Sequence, residues 1–286
     1  MRDLGTIITA IVTPFDQQLN VDEDAFVALM HHLAANGSDG LVVAGTTGEA
    51  STLTDEEQCA LVDLALRERP DGLTIIAGAG SNDTRHAIHL TERMCELGAD
   101  AILSVTPYYN RPSRRGLLAH FAEVSRAANV PIVLYNIPSR TGTDMPNDLL
   151  EELAELDHVE YVKQSNEANL APVPGLRVYA GNDDLFGRTL DLGEAGGILV
   201  ASHIVGPQLR RMADDPDQRR AIDAELADVY ETLGHIGNTA AVKAALELLG
   251  LRGGGLRLPM VEASARERDA VREMLVRHHL LEALTA

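Results

Sequence analysis

Of the 24 basic residues in this chain, only Lys163 and Lys243 are lysines. Lys163 stands in EYVKQSNE, after Tyr161 and Val162, which read as the inside of a β-strand, and no acidic side chain follows it until Glu167. A guanidinium can replace an ammonium on a solvated surface, but it stays protonated and cannot serve as an amine nucleophile. A lysine kept in a strand therefore suggests carbonyl chemistry through an imine. On the count alone, arginine-rich codon usage that left two lysines by chance explains it equally well.

Other stretches carry residue types that fit such chemistry. In GTTGE, residues 45 to 49, glycines flank two threonines, so the turn can offer backbone N–H groups and two hydroxyls to a small carboxylate. TPYYN sets Tyr108 and Tyr109 at the end of an apolar run, in a chain with six tyrosines and no tryptophan. In YNIPSRTG, alternation puts Val133, Tyr135 and Ile137 on one face, with Arg140 in the loop beyond. The same alternation puts Tyr161, Lys163 and Ser165 on one face. Burial and a nearby guanidinium both disfavour the charged form of a lysine, and the free amine is what an imine needs. A tyrosine on the neighbouring strand can carry the protons that imine formation moves. Each feature also has a plainer reading: glycine turns reverse chains, rim aromatics cover cores, and buried tyrosines pack.

These residues need a scaffold, and its pattern is regular. Short apolar runs begin at residues 6, 40, 74, 101, 131, 159, 177 and 196. Helix-periodic stretches such as DEEQCALVDLALRERP lie between most of them, opening on acidic or hydroxyl residues and often closing at Gly or Pro. Eight strand–helix units with near-continuously apolar strands predict a (β/α)8 barrel, residues 1–205, with active residues at the C-terminal ends of the strands. The alternative is a doubly wound sheet, which usually announces a glycine-rich first turn; here the first run enters TPFD. Residues 206–286 read as helices packed on the barrel, with Arg210, Arg211, Arg219 and Arg220 on a solvated face.

Composition narrows the function further. A chain of 286 residues that is 45% hydrophobic and 23% charged can bury a full core. A net charge of −19 argues against a general nucleic-acid binder. No apolar run approaches a membrane span and no leader pattern is evident, so a cytoplasmic protein is expected. Cys59 and Cys95 read as reduced, packed thiols. The His pairs at 31 and 32, 86 and 89, and 278 and 279 are the raw material for a competing metal-dependent aldolase or binding barrel, and none has a convincing ligand set.

Taken in order, GTIITAIVTPF, GTTGEASTL, GAGSNDT, TPYYNRP and YNIPSRTG, with the later strand lysine, resemble the dihydrodipicolinate synthase and N-acetylneuraminate lyase family of lysine-dependent pyruvate aldolases. The resemblance spans nearly the whole chain. GTTGE together with PSRTG is most similar to the branch that condenses pyruvate with aspartate 4-semialdehyde to 4-hydroxy-tetrahydrodipicolinate, in lysine and diaminopimelate biosynthesis. Another aldolase or dehydratase of the family, acting on a sugar acid or other aldehyde, is the alternative. The resemblance implies that Lys163 forms the imine with pyruvate and that Tyr135, Thr46 and Tyr109 relay protons, Tyr109 reaching into a neighbouring subunit. It implies that Thr47 holds the pyruvate carboxylate, that Gly181 and Ile198 supply backbone groups, and that Arg140 binds the aldehyde's distal carboxylate. It implies no metal or organic cofactor, and a homo-oligomer that is a dimer or a dimer of dimers.

The chain departs from the family around its lysine. Tyr161 stands where a small residue is usual, and Gln164, Ser165 and Asn166 replace an acidic, small and hydroxyl sequence. A ring one layer below Lys163 calls for small neighbours, with Ala10, Ala44 or Ala77 as candidates, and is expected to reshape the pocket floor. After the eighth strand come Ser202 and His203, the latter expected at the rim or on the surface. The resemblance also places Ala50, Ser51, Asp55, Gln58, Asn82, His86 and Tyr108 near an effector pocket that binds lysine in some synthases. The usual acceptors there are mostly replaced, so weak or absent inhibition by lysine is expected.

Overall fold

A computed structural model describes residues 2–282. Eight parallel strands close into one barrel in sequence order: β1 (Ile7–Ala10), β2 (Gly40–Val43), β3 (Thr74–Gly78), β4 (Ala101–Val105), β5 (Ile132–Asn136), β6 (Val159–Gln164), β7 (Arg177–Ala180) and β8 (Gly196–Leu199). Closure is made by β1 pairing with β8, Ile8 opposite Ile198. Each strand core coincides with one of the eight apolar runs. Both faces of the sheet are covered, which is why those runs are nearly continuously apolar.

The helices between the strands are α1 (Glu23–Ala35), α2 (Asp55–Glu68), α3 (Thr84–Leu97), α4 (Arg114–Ala127), the single turn α5 (Pro138–Thr141), α6 (Asn147–Leu153) and α7 (Phe186–Asp191), and α8 (Ser202–Asp214) follows the last strand. Their starts are written in the sequence. Asp22, Asp83 and Ser113 accept first-turn backbone N–H groups, and Thr54 and Glu57 form a reciprocal capping box at α2. Such a cap contributes about 1 kcal/mol by satisfying donors that the helix leaves unpaired. The chain continues in α9 (Arg219–Ile236), α10 (Asn238–Leu248) and α11 (Ala265–Arg277). Residue 205 falls inside α8, at a kink where Val205 leaves helical geometry. Residues 283–286 of the expected helical region, and Met1 of the barrel, lie outside the described residues.

Two of the four arginines expected on a solvated face are anchors instead. Arg210 reaches the barrel floor, donating to Gly37 O at 2.7 Å and pairing with Asp39 at 2.6 Å. Buried Arg219 donates to Met212 O and pairs with Asp191 at 2.7 Å. A helical period cannot tell a solvated arginine from one that crosses an interface to a carboxylate. Arg211 and Arg220 are exposed as expected.

Two apolar layers follow from strand alternation. The larger lies between strands and helices; the smaller fills the barrel and includes Ile8, Ala10, Val42, Ile76, Ala101 and Tyr161. Tyr161 stacks on Tyr179 with ring centroids 5.5 Å apart, and both hydroxyls point down, to the Arg2 and Gly5 carbonyls. The Tyr161 ring therefore plugs the lower barrel rather than reshaping the pocket floor. Of the proposed small neighbours Ala10 is inside the barrel, whereas Ala44 and Ala77 face the helices. Among the described residues, no helix is long and apolar enough to cross a membrane.

Candidate active site

The strand register sets Lys163 of β6 directly beside Tyr135 of β5. The Lys163 Nζ lies 4.4 Å from the centre of the Tyr135 ring, and the two residues are only 6% and 5% exposed. Among the described residues Lys243 has a carboxylate partner, Glu49, and Lys163 has none. A buried amine without a counter-ion is costly to keep, so folding alone gives no reason for it. The Tyr135 backbone is held from the next strand, because the Thr106 N–H and hydroxyl both donate to Tyr135 O, at 3.0 and 2.9 Å. Tyr135 and Lys163 both border a cavity at the C-terminal end of the barrel, with Ala10, Thr47, Gly181 and Val200.

The GTTGE segment forms one wall. Glu49 N donates to Thr46 O at 3.1 Å and Ala50 N to Gly45 O at 3.2 Å, closing a tight turn, while the Thr13 hydroxyl donates to Gly48 O at 2.7 Å. Thr46 is exposed and Thr47 buried, and both border the cavity around Lys163. Opposite them, Ile137 leads into α5, so PSRT is one helical turn rather than the open loop expected, and Gly142 ends it in a left-handed conformation. That turn presents exposed Arg140 over the same cavity and over an adjoining one of about 480 Å3.

The family departures after Lys163 resolve into a polar network. Gln164 is buried; its Oε1 accepts from Asn136 Nδ2 at 3.0 Å and from Asn166 N at 2.9 Å. The Asp144 carboxylate gathers the side-chain amides of Asn136, Asn166 and Asn169. These residues brace β5 against β6 behind the lysine. Ser165 Oγ is buried against Gly181, where an added Cβ would come within 2.1 Å of it and 3.0 Å of the Gln164 carbonyl, so a larger residue there would force the Ser165 side chain to move. Gly181 borders the cavity, but its N–H is committed to Gln164 O at 2.8 Å, which leaves its carbonyl for a ligand.

Two expected site residues are not brought together with Lys163 inside this chain. Ile198 is sealed in the barrel interior, and Val200, two residues on, is the one that borders the cavity. Tyr109 is 91% exposed, in a left-handed conformation, and borders neither cavity. His203 is neither at the rim nor on the surface. It is 2% exposed, accepts from Val12 N through Nε2 at 3.2 Å and contacts Val200 O through Nδ1 at 2.8 Å, which assigns the proton to Nδ1. Burial lowers its pKa to about 4, so it ties β1 to β8 as a neutral ring.

Sequence reasoning missed three contributors. Asn238, the first residue of α10, and Asn182 border the cavity with Lys163. Buried Asp183 accepts from Val200 N and Ala201 N, both at 2.9 Å, and so shapes the turn after β8; burial raises its pKa despite those bonds. Nothing local ties Asp183 to backbone groups 17 and 18 residues later, or Asn238 to a barrel more than thirty residues earlier. The 480 Å3 cavity is bordered by Ala50, Ser51, Asp55, Gln58, His86 and Tyr108 of the expected effector pocket. Among the described residues, no group of three or more His, Cys, Asp or Glu side chains is gathered to hold a metal.

Comparison with known proteins places this geometry in context. Residues 3–278 match the model of the dihydrodipicolinate synthetase family. The chain is 40% identical over 279 residues to a protein of Halalkalibacterium halodurans named 4-hydroxy-tetrahydrodipicolinate synthase 1, covering 93% of this chain and 94% of that one. It is 39% identical to the 4-hydroxy-tetrahydrodipicolinate synthase of Heliobacterium modesticaldum, covering 96% and 95%. Among solved structures, the synthase of Cyanidioschyzon merolae with lysine bound superposes with a TM-score of 0.94 at 37% identity, covering 98% of this chain and 100% of that one. The synthase of Acinetobacter baumannii complexed with pyruvate gives 0.93 at 34%, with the same coverage.

Proposed function

Since the chain belongs to the dihydrodipicolinate synthetase family, we propose that it condenses pyruvate with aspartate 4-semialdehyde to 4-hydroxy-tetrahydrodipicolinate through a Schiff base on Lys163. It is a lyase of lysine and diaminopimelate biosynthesis. The observation that carries the residue assignment is the pairing of an amine without a counter-ion and a tyrosine, side by side at the top of a closed barrel, with Arg140 over the same cavity.

The free amine of Lys163 attacks C2 of pyruvate to give a carbinolamine, which loses water to the imine. The Tyr135 hydroxyl protonates the leaving oxygen and takes the proton back, with Thr46 and a neighbour's Tyr109 completing the relay. Thr47 and the turn around it hold the pyruvate carboxylate. Loss of a C3 proton gives the enamine, whose C3 attacks the aldehyde carbon of the second substrate. Arg140 grips that substrate's distal carboxylate with its planar two-donor fork. The substrate amino group then adds to C2, closes the ring and expels the Lys163 amine, so the enzyme returns unchanged. Gly181 supports the site through its carbonyl. The exposure of Tyr109 favours a homo-oligomer, a dimer or a dimer of dimers, in which it reaches a partner's site; the setting is cytoplasmic.

Borohydride reduction with pyruvate tests the assignment. One pyruvate-derived mass is expected on the peptide holding Lys163, with or without a chelator, and none in Lys163→Ala. An adduct that survives Lys163→Ala refutes it. A preference for N-acetylneuraminate or keto-deoxy sugar acids over aspartate semialdehyde would reject the substrate.

A further inference from the structure

The second lysine is as buried as the first and has a different environment. Lys243 of α10 is 2% exposed, and its ammonium faces three acceptors of different kinds. It donates to Glu49 Oε1 at 2.6 Å and to Gly255 O at 2.6 Å, and it lies 4.5 Å from the centre of the Phe15 ring. The other Glu49 oxygen accepts from Arg257 N at 3.1 Å. Glu49 itself is the last residue of the GTTGE turn and is held in a left-handed conformation, φ 59°. The segment after α10 fits closely over this pair: a Cβ on Gly254, whose φ is +71°, would fall 2.3 Å from Phe15 O. A compact ammonium meets the carboxylate and the carbonyl at once beside a ring that the Arg257 guanidinium also contacts, at 4.5 Å, which leaves little room for a second guanidinium. That accounts for a lysine here in a chain that otherwise uses arginine.

A buried ion pair is weak evidence for stability, because desolvating both charges offsets much of their attraction. What this pair joins is more telling. On one side is the turn bearing Thr46 and Thr47; on the other is α10, whose first residue, Asn238, borders the same Lys163 cavity as they do. We infer that the Lys243–Glu49 ion pair is a positioning device that sets the pyruvate-binding turn, Thr46 and Thr47, against the N-terminal end of α10 and so controls the affinity of the site for pyruvate. This rests on the reading of Thr47 as the pyruvate-carboxylate residue. Misplacement of a binding group by about 1 Å can cost on the order of 100-fold.

The test uses Lys243→Met, Glu49→Gln and the paired Lys243→Met/Glu49→Leu, which substitutes an apolar contact for the ion pair. Three quantities are read in the full-length protein: the pyruvate concentration that half-saturates borohydride trapping at Lys163, the KM for the aldehyde, and the urea unfolding midpoint. In both single variants, half-saturating pyruvate is expected to rise roughly 10- to 100-fold while the aldehyde KM stays within about threefold. The paired variant is expected to regain the unfolding midpoint without regaining pyruvate affinity, which a purely structural pair would restore together. Pyruvate dependence within about threefold of the parent, a parallel rise in both KM values, or recovery of pyruvate affinity in the paired variant overturns the inference. If Lys243→Met does not fold, Glu49→Gln, which keeps the shape and one acceptor, decides by the same criteria. Absence of a Lys163 adduct in the parent enzyme instead sinks the underlying reading of the site.

Discussion

Replacing Tyr135 by phenylalanine removes one hydroxyl from the site and leaves the ring that packs beside Lys163. Among the described residues that hydroxyl makes no hydrogen bond to protein, and the 4.4 Å contact from Lys163 Nζ is to the ring, which phenylalanine retains. The backbone clamp from Thr106 to Tyr135 O is also untouched. The stability cost is therefore expected to be below about 1 kcal/mol, because no buried partner loses its bond. The catalytic cost is much larger if the hydroxyl moves protons in imine formation. A positioned acid–base group contributes roughly 100- to 10,000-fold, which is about 2.7 to 5.4 kcal/mol of barrier at 1.36 kcal/mol per decade. Steady-state turnover, single-turnover borohydride trapping and urea unfolding separate the two effects. The expected result is a kcat lowered by at least about 100-fold, slower adduct formation and an unfolding curve that overlays the parent. A kcat within about threefold of the parent, with Lys163 still trapped at the parent rate, would show that protons travel by another route.

Three further outcomes follow from the same geometry. Arg140→Lys should raise the aldehyde KM roughly 10- to 100-fold, the worth of one lost charge-assisted bond at about 1.5 to 3 kcal/mol, and leave borohydride trapping of pyruvate unchanged; a loss of trapping would move Arg140 to the pyruvate end. Free lysine should inhibit weakly or not at all, because both Asp55 oxygens already face His86 Nε2, at 3.0 and 3.1 Å, and Gln58 Nε2 is spent on Ala50 O; half-inhibition at low millimolar lysine or below contradicts this. Buried His203 and His120 both have pKa values lowered to about 4 by burial. The unfolded chain takes up protons near pH 6.5 and the folded one resists until about 4, so their contribution is full above pH 6.5 and falls as pH drops through that window. Urea midpoints measured across it should decline with falling pH, and less steeply in His120→Gln; an unchanged slope in that variant removes His120 from the account.

How far the sequence could be read depended on the range of the interaction. Strand alternation is a two-residue pattern, so it put Val133, Tyr135 and Ile137 on the inner face, where all three belong to the barrel core. Helix starts are also local, and the stretches read as opening on acidic or hydroxyl residues do so, with Thr54 and Glu57 capping α2. Arg210 and Arg219 failed the same kind of reading, because their partners Asp39 and Asp191 lie on other elements. His203 was misjudged for a related reason. It sits in the first turn of α8, directly after β8, and only the closure of β8 onto β1 buries it against Val12.

By itself, then, the sequence determined what is local or repeated: eight apolar runs with helices between them, a tight GTTGE turn, and a strand lysine sharing a face with Tyr161 and Ser165. Tertiary structure alone decided what depends on register and closure. It set Lys163 beside Tyr135 across two strands, turned the Tyr161 ring down to the Arg2 carbonyl and away from the site, and carried Asn238 from the C-terminal helices to the mouth of the barrel. It also gave the second lysine its partner, 194 residues earlier in the chain. Contacts of that separation leave no periodic trace in the residues between them, and they are formed only when the closed barrel brings distant ends to one rim.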